Sequence, residues 1–197
     1  MKIYFKELYN SVTAVLFEPV LFWKKQKSYT PSILKPVTHY IGPLVLFSAL
    51  CIFAGELFRG SRLYLFFPVM KAVRKMVLFM LYYFIMIFII KELIALTGIK
   101  KDIRTSGKKD IRTLGKLISY SLTPVILTSF FTGLFPFLYV LDIFGLYGFY
   151  IFLTGIKTMF QFRDKGQYAF FISVVISALV IYGILSIILS KLLTAIL

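Results

Sequence analysis

The side chains able to do chemistry are few, and the most conspicuous are basic. Residues 100–115 read KKDIRTSGKKDIRTLG, an eight-residue unit written twice with only Ser106 and Leu114 differing. Read as a helix, that period sets Lys100, Arg104, Lys108, Arg112 and Lys116 four apart on one stripe. Leu96, Ile99, Ile103, Ile111, Leu114 and Ile118 share another face, and Gly107 takes the missing apolar position, where it bends the helix. Such a helix lies on a leaflet with its apolar face down and its stripe at anionic phosphates, each cation contributing about 1 kcal/mol. The alternative is a flexible loop lengthened by duplication. A phosphate-cradling P-loop is excluded, because Gly115-Lys116 is followed by Leu117 and no strand precedes it. Nucleic acid is not expected as a partner, since no aromatics interleave with these charges and both ends are tied to apolar runs.

Other candidates thin out quickly. His39 is the sole histidine, so a histidine-based metal site has no second histidine. Cys51 is the sole cysteine; it cannot form an internal disulfide and reads as a small packing residue. Neither H-E-x-x-H nor G-x-S-x-G occurs. Glu56, Glu92 and Asp142 stand near the ends of apolar runs, where they read as interfacial anchors. No catalytic residue, metal or cofactor is assigned, and the chain is not read as an enzyme.

The elements that must carry these groups are membrane spans. The chain has 197 residues, of which 59% are hydrophobic, against about 45–50% in a typical soluble domain. The excess falls in blocks long enough to cross roughly 30 Å of hydrocarbon. The expected fold is all-α, a single polytopic helical bundle over 1–197. Its five transmembrane helices lie at about 42–58, 76–97, 117–139, 143–160 and 169–193. Residues 1–40 form a cytoplasmic or interfacial segment. In it, Phe5, Leu8, Tyr9, Val12, Val15 and Leu16 make one helical face, and Pro19 ends the pattern. Trp23 beside Lys24 and Lys25 reads as a headgroup-level pairing. This opening stretch has no clean apolar core and is not read as a secretory signal. A short interfacial helix interrupted near Pro68 is expected between spans one and two.

Net charge is +15. In a membrane chain such an excess gathers on the cytoplasmic side. Lys2, Lys6, Lys24, Lys25, Lys27 and Lys35 precede span one. The second connection adds Lys100, Lys101, Arg104, Lys108, Lys109, Arg112 and Lys116, and Lys157, Arg163 and Lys165 attend the fourth. The opposite side holds only Arg59, Arg62, Lys71, Arg74 and Lys75, with Lys191 near the last residues. The bias places the N-terminus in the cytoplasm and the C-terminus outside.

Small residues recur where helices must approach closely. Ser48, Cys51 and Gly55 share a face of span one, and Gly148 and Gly155 one of span four. Ala169, Ser173 and Ser177 step along span five, as do Ser186 and Ser190. Such faces leave room for a homo-oligomer. In span three, Pro124 has no N–H, so the carbonyl of Tyr120 loses its helical partner. Gly42-Pro43 opens span one at similar depth. The two irregular segments either form a polar-lined notch where a partner or headgroup docks, or the proline is a kink that serves packing alone.

Four stretches in order, FEPVLFWKK (17–25), YIGPL (40–44), SYSLTP (119–124) and GLYGFYIFLTGIK (145–157), make the chain resemble the Yip1 domain family of five-span membrane proteins. The resemblance implies a cytoplasmic N-terminus and marks Pro19, Trp23, Gly42, Pro43, Tyr120, Pro124, Gly148 and Gly155 as family or structural positions. Eukaryotic relatives associate with small Rab GTPases, but they carry a longer N-terminal region. They also carry a fuller motif at span one, of which only Gly42-Pro43 is present here. The chain looks more like compact prokaryotic members, which implies a bacterial inner membrane as its location. The function expected is that of a non-enzymatic organiser or adaptor, with anionic lipid and an unidentified membrane or cytoplasmic protein as partners. The alternative is a transporter or permease subunit.

Overall fold

The structure, a computed structural model, describes residues 2–27, 34–60, 65–96, 107–160 and 167–196. Helix α1 (Lys2–Phe17) leads through Glu18 into α2 (Pro19–Gln26), and α3 (Leu34–Pro36) runs through a π-helical turn (Val37–Ile41) into α4 (Gly42–Phe58). Then come α5 (Phe66–Leu96), α6 (Gly107–Ser121), α7 (Thr123–Leu134), a 3₁₀ segment (Pro136–Leu146), α8 (Tyr147–Met159) and α9 (Gln167–Ile196). Five helical stretches are long and apolar enough to cross a membrane: Val37–Phe58, Phe66–Leu96, Ile111–Leu134, Pro136–Met159 and Gln167–Ala195. Among the described residues there is no strand, and the chain is an all-α polytopic bundle.

Proline placement explains where the spans differ from expectation. Pro68 is the third residue of α5, where its missing N–H would have had no helical acceptor anyway. The separate interfacial helix expected around it is therefore the first turn of span two, which begins at Phe66 rather than near 76. At 31 residues, α5 is about 46 Å long, more than the roughly 30 Å of hydrocarbon, so it tilts or projects. Span three ends earlier than expected, at Leu134 rather than near 139. Pro136 cannot continue α7, and Phe135 turns extended (φ −128°, ψ 90°). Residues 136–146 belong instead to span four, as a tight 3₁₀ entry kinked at Leu138.

The basic repeat also lands elsewhere. Lys100 and Arg104, with all of residues 97–106, lie outside the described residues. α6 begins at Gly107 and runs on without a break into span three, which starts at Ile111. Leu114, Leu117 and Ile118 are buried in the core, not turned to a leaflet. Hydrocarbon cannot tell an apolar helix face that meets lipid from one that meets protein, so the pattern alone had no means of choosing.

Close approach, rather than hydrophobic force, holds such a bundle. α4 and α7 cross at Gly55 and Gly133, where a Cβ on Gly55 would stand 2.1 Å from the Gly133 carbonyl oxygen. Ser48 and Cys51 are buried on the same face of α4. α9 makes its main contact with α5, and its buried line is Phe170, Val174 and Ala178, one position from the expected Ala169, Ser173 and Ser177 line. The amphipathic face of α1 is divided: Val15 is buried and Leu8, Val12 and Leu16 pack on the core, but Phe5 and Tyr9 remain exposed.

Gly55→Leu is expected to lower the unfolding free energy by about 1–3 kcal/mol, or block folding, as overpacking does. Gly183, mid-α9 with nothing near its would-be Cβ, should instead gain stability as Gly183→Ala, by about 0.5–1 kcal/mol. Thermal unfolding in mild detergent, followed by circular dichroism, checks both signs.

Candidate functional site at the meeting of spans one and three

The break in span three is answered from within. The Thr123 hydroxyl, fully buried, donates to the Tyr120 carbonyl oxygen at 2.7 Å, replacing the bond that Pro124 cannot make. With its hydrogen so committed, Thr123 Oγ1 accepts from the Tyr40 hydroxyl at 2.8 Å. Tyr40 arrives there because span one opens with a π-helical turn. The Pro43 ring would crowd the His39 carbonyl in a regular helix. The wider turn relieves this, and Gly42 N–H bonds Val37 O. Only glycine fits, since a Cβ at residue 42 would stand 2.8 Å from that oxygen. Gly42-Pro43 and Tyr120–Pro124 thus meet, as one of the two expectations had it, but the junction is closed by aromatic rings rather than open as a notch.

Those rings come from three places in the sequence. The Tyr120 ring lies 4.4 Å from that of Tyr40, 4.7 Å from Phe22 and 5.8 Å from Trp23, between ring centres. Trp23 is fully enclosed, not spread among headgroups, and its Nε1–H donates to Ile151 O at 3.0 Å. Gly155 makes the space, because a Cβ there would fall 2.6 Å from Trp23 Cε2. About two turns away, Gly148 lets α8 rest against the Ser121 carbonyl and Pro124. Pro19, buried at the start of α2, sets the angle at which this segment enters. Tyr147 donates to Leu16 O at 2.8 Å.

Lys116 belongs to the same construction. It was expected at lipid phosphates, but it is 2% exposed and its ammonium donates to Gln26 O at 2.6 Å, holding the end of α2. Arg112 is half-buried with Nε unpartnered, and the side chain of Lys108 lies outside the described residues. Lys24, Lys25 and Lys27 of the docked segment are exposed. The polar face of α2 stays outward while Phe22 and Trp23 point in.

A second polar cluster, at the opposite end of α4, escaped the sequence reading. Glu56 is not solvated at a helix end but 5% exposed. Its Oε1 is bonded by Lys71 Nζ at 2.6 Å and by Arg59 at 2.8 Å. The signal was present in the five cations of the first connection, which ran against the charge bias.

As the only tryptophan, Trp23 reports on this site directly. Its emission should be blue-shifted and shielded from aqueous quenchers, and Gly155→Leu should shift it to the red by expelling the ring. Thr123→Val should cost about 1–3 kcal/mol by orphaning a buried carbonyl. Thr123→Ser should cost less, and Tyr40→Phe should add little on top of Thr123→Val, because the two changes act on one chain of bonds.

No curated protein and no solved structure matches the chain. The family model for the Yip1 domain matches residues 13–188. That span holds Pro19, Trp23, Gly42, Pro43, Tyr120, Pro124, Gly148 and Gly155, the positions that converge at the closed junction. The chain belongs to the Yip1 domain family of integral membrane proteins.

Proposed function

We propose that the protein is a non-enzymatic membrane organiser or adaptor. It would sit in a bacterial inner membrane with its N-terminus in the cytoplasm and its C-terminus outside. The observation that carries this reading is the docking of α2: Trp23 and Lys116 tie the segment rigidly to the bundle while Lys24, Lys25 and Lys27 remain outward. A rigid cationic platform suits an acidic protein surface or an anionic leaflet, since ordering costs are met before binding. The Tyr40 and Thr123 hydroxyls at the junction are engaged in structural bonds, which fits a scaffold better than a reaction site. The distribution of lysine and arginine supports the orientation.

Charge reversal of Lys24, Lys25 and Lys27 to Glu should abolish recovery of the protein partner after mild-detergent purification while leaving Trp23 emission unchanged. Unchanged partner recovery would count against the platform. A reporter active only in the cytoplasm should work at the N-terminus and fail at the C-terminus. Liposomes containing the protein should show solute flux no faster than protein-free ones, whereas a transporter or permease subunit would raise it.

A further inference from the structure

At the end of the bundle away from α2, four cations crowd around one carboxylate. A cavity of about 190 Å³ is lined by Arg59, Lys71, Arg74 and Lys75 together with Glu56, and by Ser129 and Thr132 of α7. Glu56 engages Arg59 and Lys71. Arg74 donates to Ser190 of α9, yet its Nε is buried with no partner among the described residues. Lys75 donates to the Tyr182 hydroxyl at 3.2 Å and stands over the rings of Phe79 and Tyr182. One carboxylate cannot balance four cations, and half-buried charge without a counter-ion is costly. The cavity is complementary to an anion.

This cavity adjoins a second one. A lateral cleft of about 210 Å³ runs along span three from Ser121 to Ser129, a rise of about 12 Å. One wall is α9, with Val174 and Leu179; the other is the entry to span four and α8, with Leu146 and Phe149. Ser129 lines both spaces. Phe79 and Tyr182, which hold the Lys75 ammonium, belong to the cleft. α9 packs mainly on α5, and the cleft-lining Leu146 and Leu179 are exposed, so the cleft opens toward the hydrocarbon.

A cationic chamber next to an apolar cleft, with Ser129 lining both, is the shape of a bound amphiphile. We propose that the site holds an anionic glycerophospholipid. Its phosphate lies among Arg59, Lys71, Arg74 and Lys75, and one acyl chain lies in the cleft between α9 and α8. The bound lipid's phosphate supplies part of the missing negative charge, and its acyl chain fills the gap that helix packing leaves. This site is separate from the α2 platform, lies at the other end of the bundle, and does not depend on a protein partner.

The test uses the full chain, delipidated in mild detergent. Phosphatidylglycerol, phosphatidylcholine with the same chains, and soluble glycerol phosphate are added separately, and binding is read by native mass spectrometry and thermal shift. The expected result is retention and stabilisation by phosphatidylglycerol alone. Arg74→Gln should weaken it about tenfold, the loss of one charge-assisted bond, and Arg74→Lys should retain most of it. Leu179→Phe, at an exposed cleft position, should weaken it without lowering the lipid-free melting temperature. Arg112→Gln, at the other end, should leave it unchanged. Equal stabilisation by phosphatidylcholine would overturn the role of the cations. Equal stabilisation by glycerol phosphate would make this a free-anion site, and no effect of any ligand would overturn the proposal outright.

Discussion

A carbonyl left without a donor inside hydrocarbon costs several kcal/mol, and Pro124 creates one at Tyr120. The arrangement at the amino-terminal end of the bundle follows from how that oxygen is answered. Thr123 supplies the hydrogen, and its own oxygen then needs a donor, which Tyr40 provides. Placing Tyr40 there demands the wide turn before Pro43, and the wide turn demands glycine at 42. The ring of Tyr120, freed from a regular helix, becomes the floor against which Phe22 and Trp23 pack. One missing N–H is thereby converted into a joint between span one, span three and the N-terminal segment.

The joint also explains why the small residues sit where they do. In lipid, two helices gain nothing by hiding apolar surface from each other, and they adhere only where backbones come close. Gly148 and Gly155 serve the joint, one against Ser121 and one under Trp23. Gly55 and Gly133 serve the other end, where α4 and α7 touch. That close contact brings the Arg59 guanidinium within 3.4 Å of Gly133 O and keeps Glu56 beneath its two cations. The two ends differ in what remains. At the α2 end Tyr40, Thr123, Trp23 and Lys116 have their partners, whereas at the Glu56 end positive charge exceeds negative around an open cavity.

Much of the architecture is legible in the sequence because it rests on length and composition. Apolar blocks long enough to cross a bilayer determine the number of spans, and prolines 43, 124 and 136 mark the points where a regular helix has to yield. The ordered stretches around Trp23, Tyr40, Tyr120 and Gly148 also determine the family. What the tertiary structure decided is which partner each side chain meets. Trp23 beside two lysines reads as a headgroup anchor, because sequence neighbours cannot show that Gly155, far along the chain, leaves a slot for the ring. Lys116 reads as one more step of a basic stripe until the end of α2 supplies a carbonyl at 2.6 Å. Glu56 and the cations of the next connection look like ordinary interfacial charges. They gather only when α4, α5 and α7 bring them around one cavity. A bilayer imposes periodicity and length on a sequence, but it is equally apolar on every side. The choice between lipid and protein for a given face is therefore made by shape, and shape exists only in the assembled bundle.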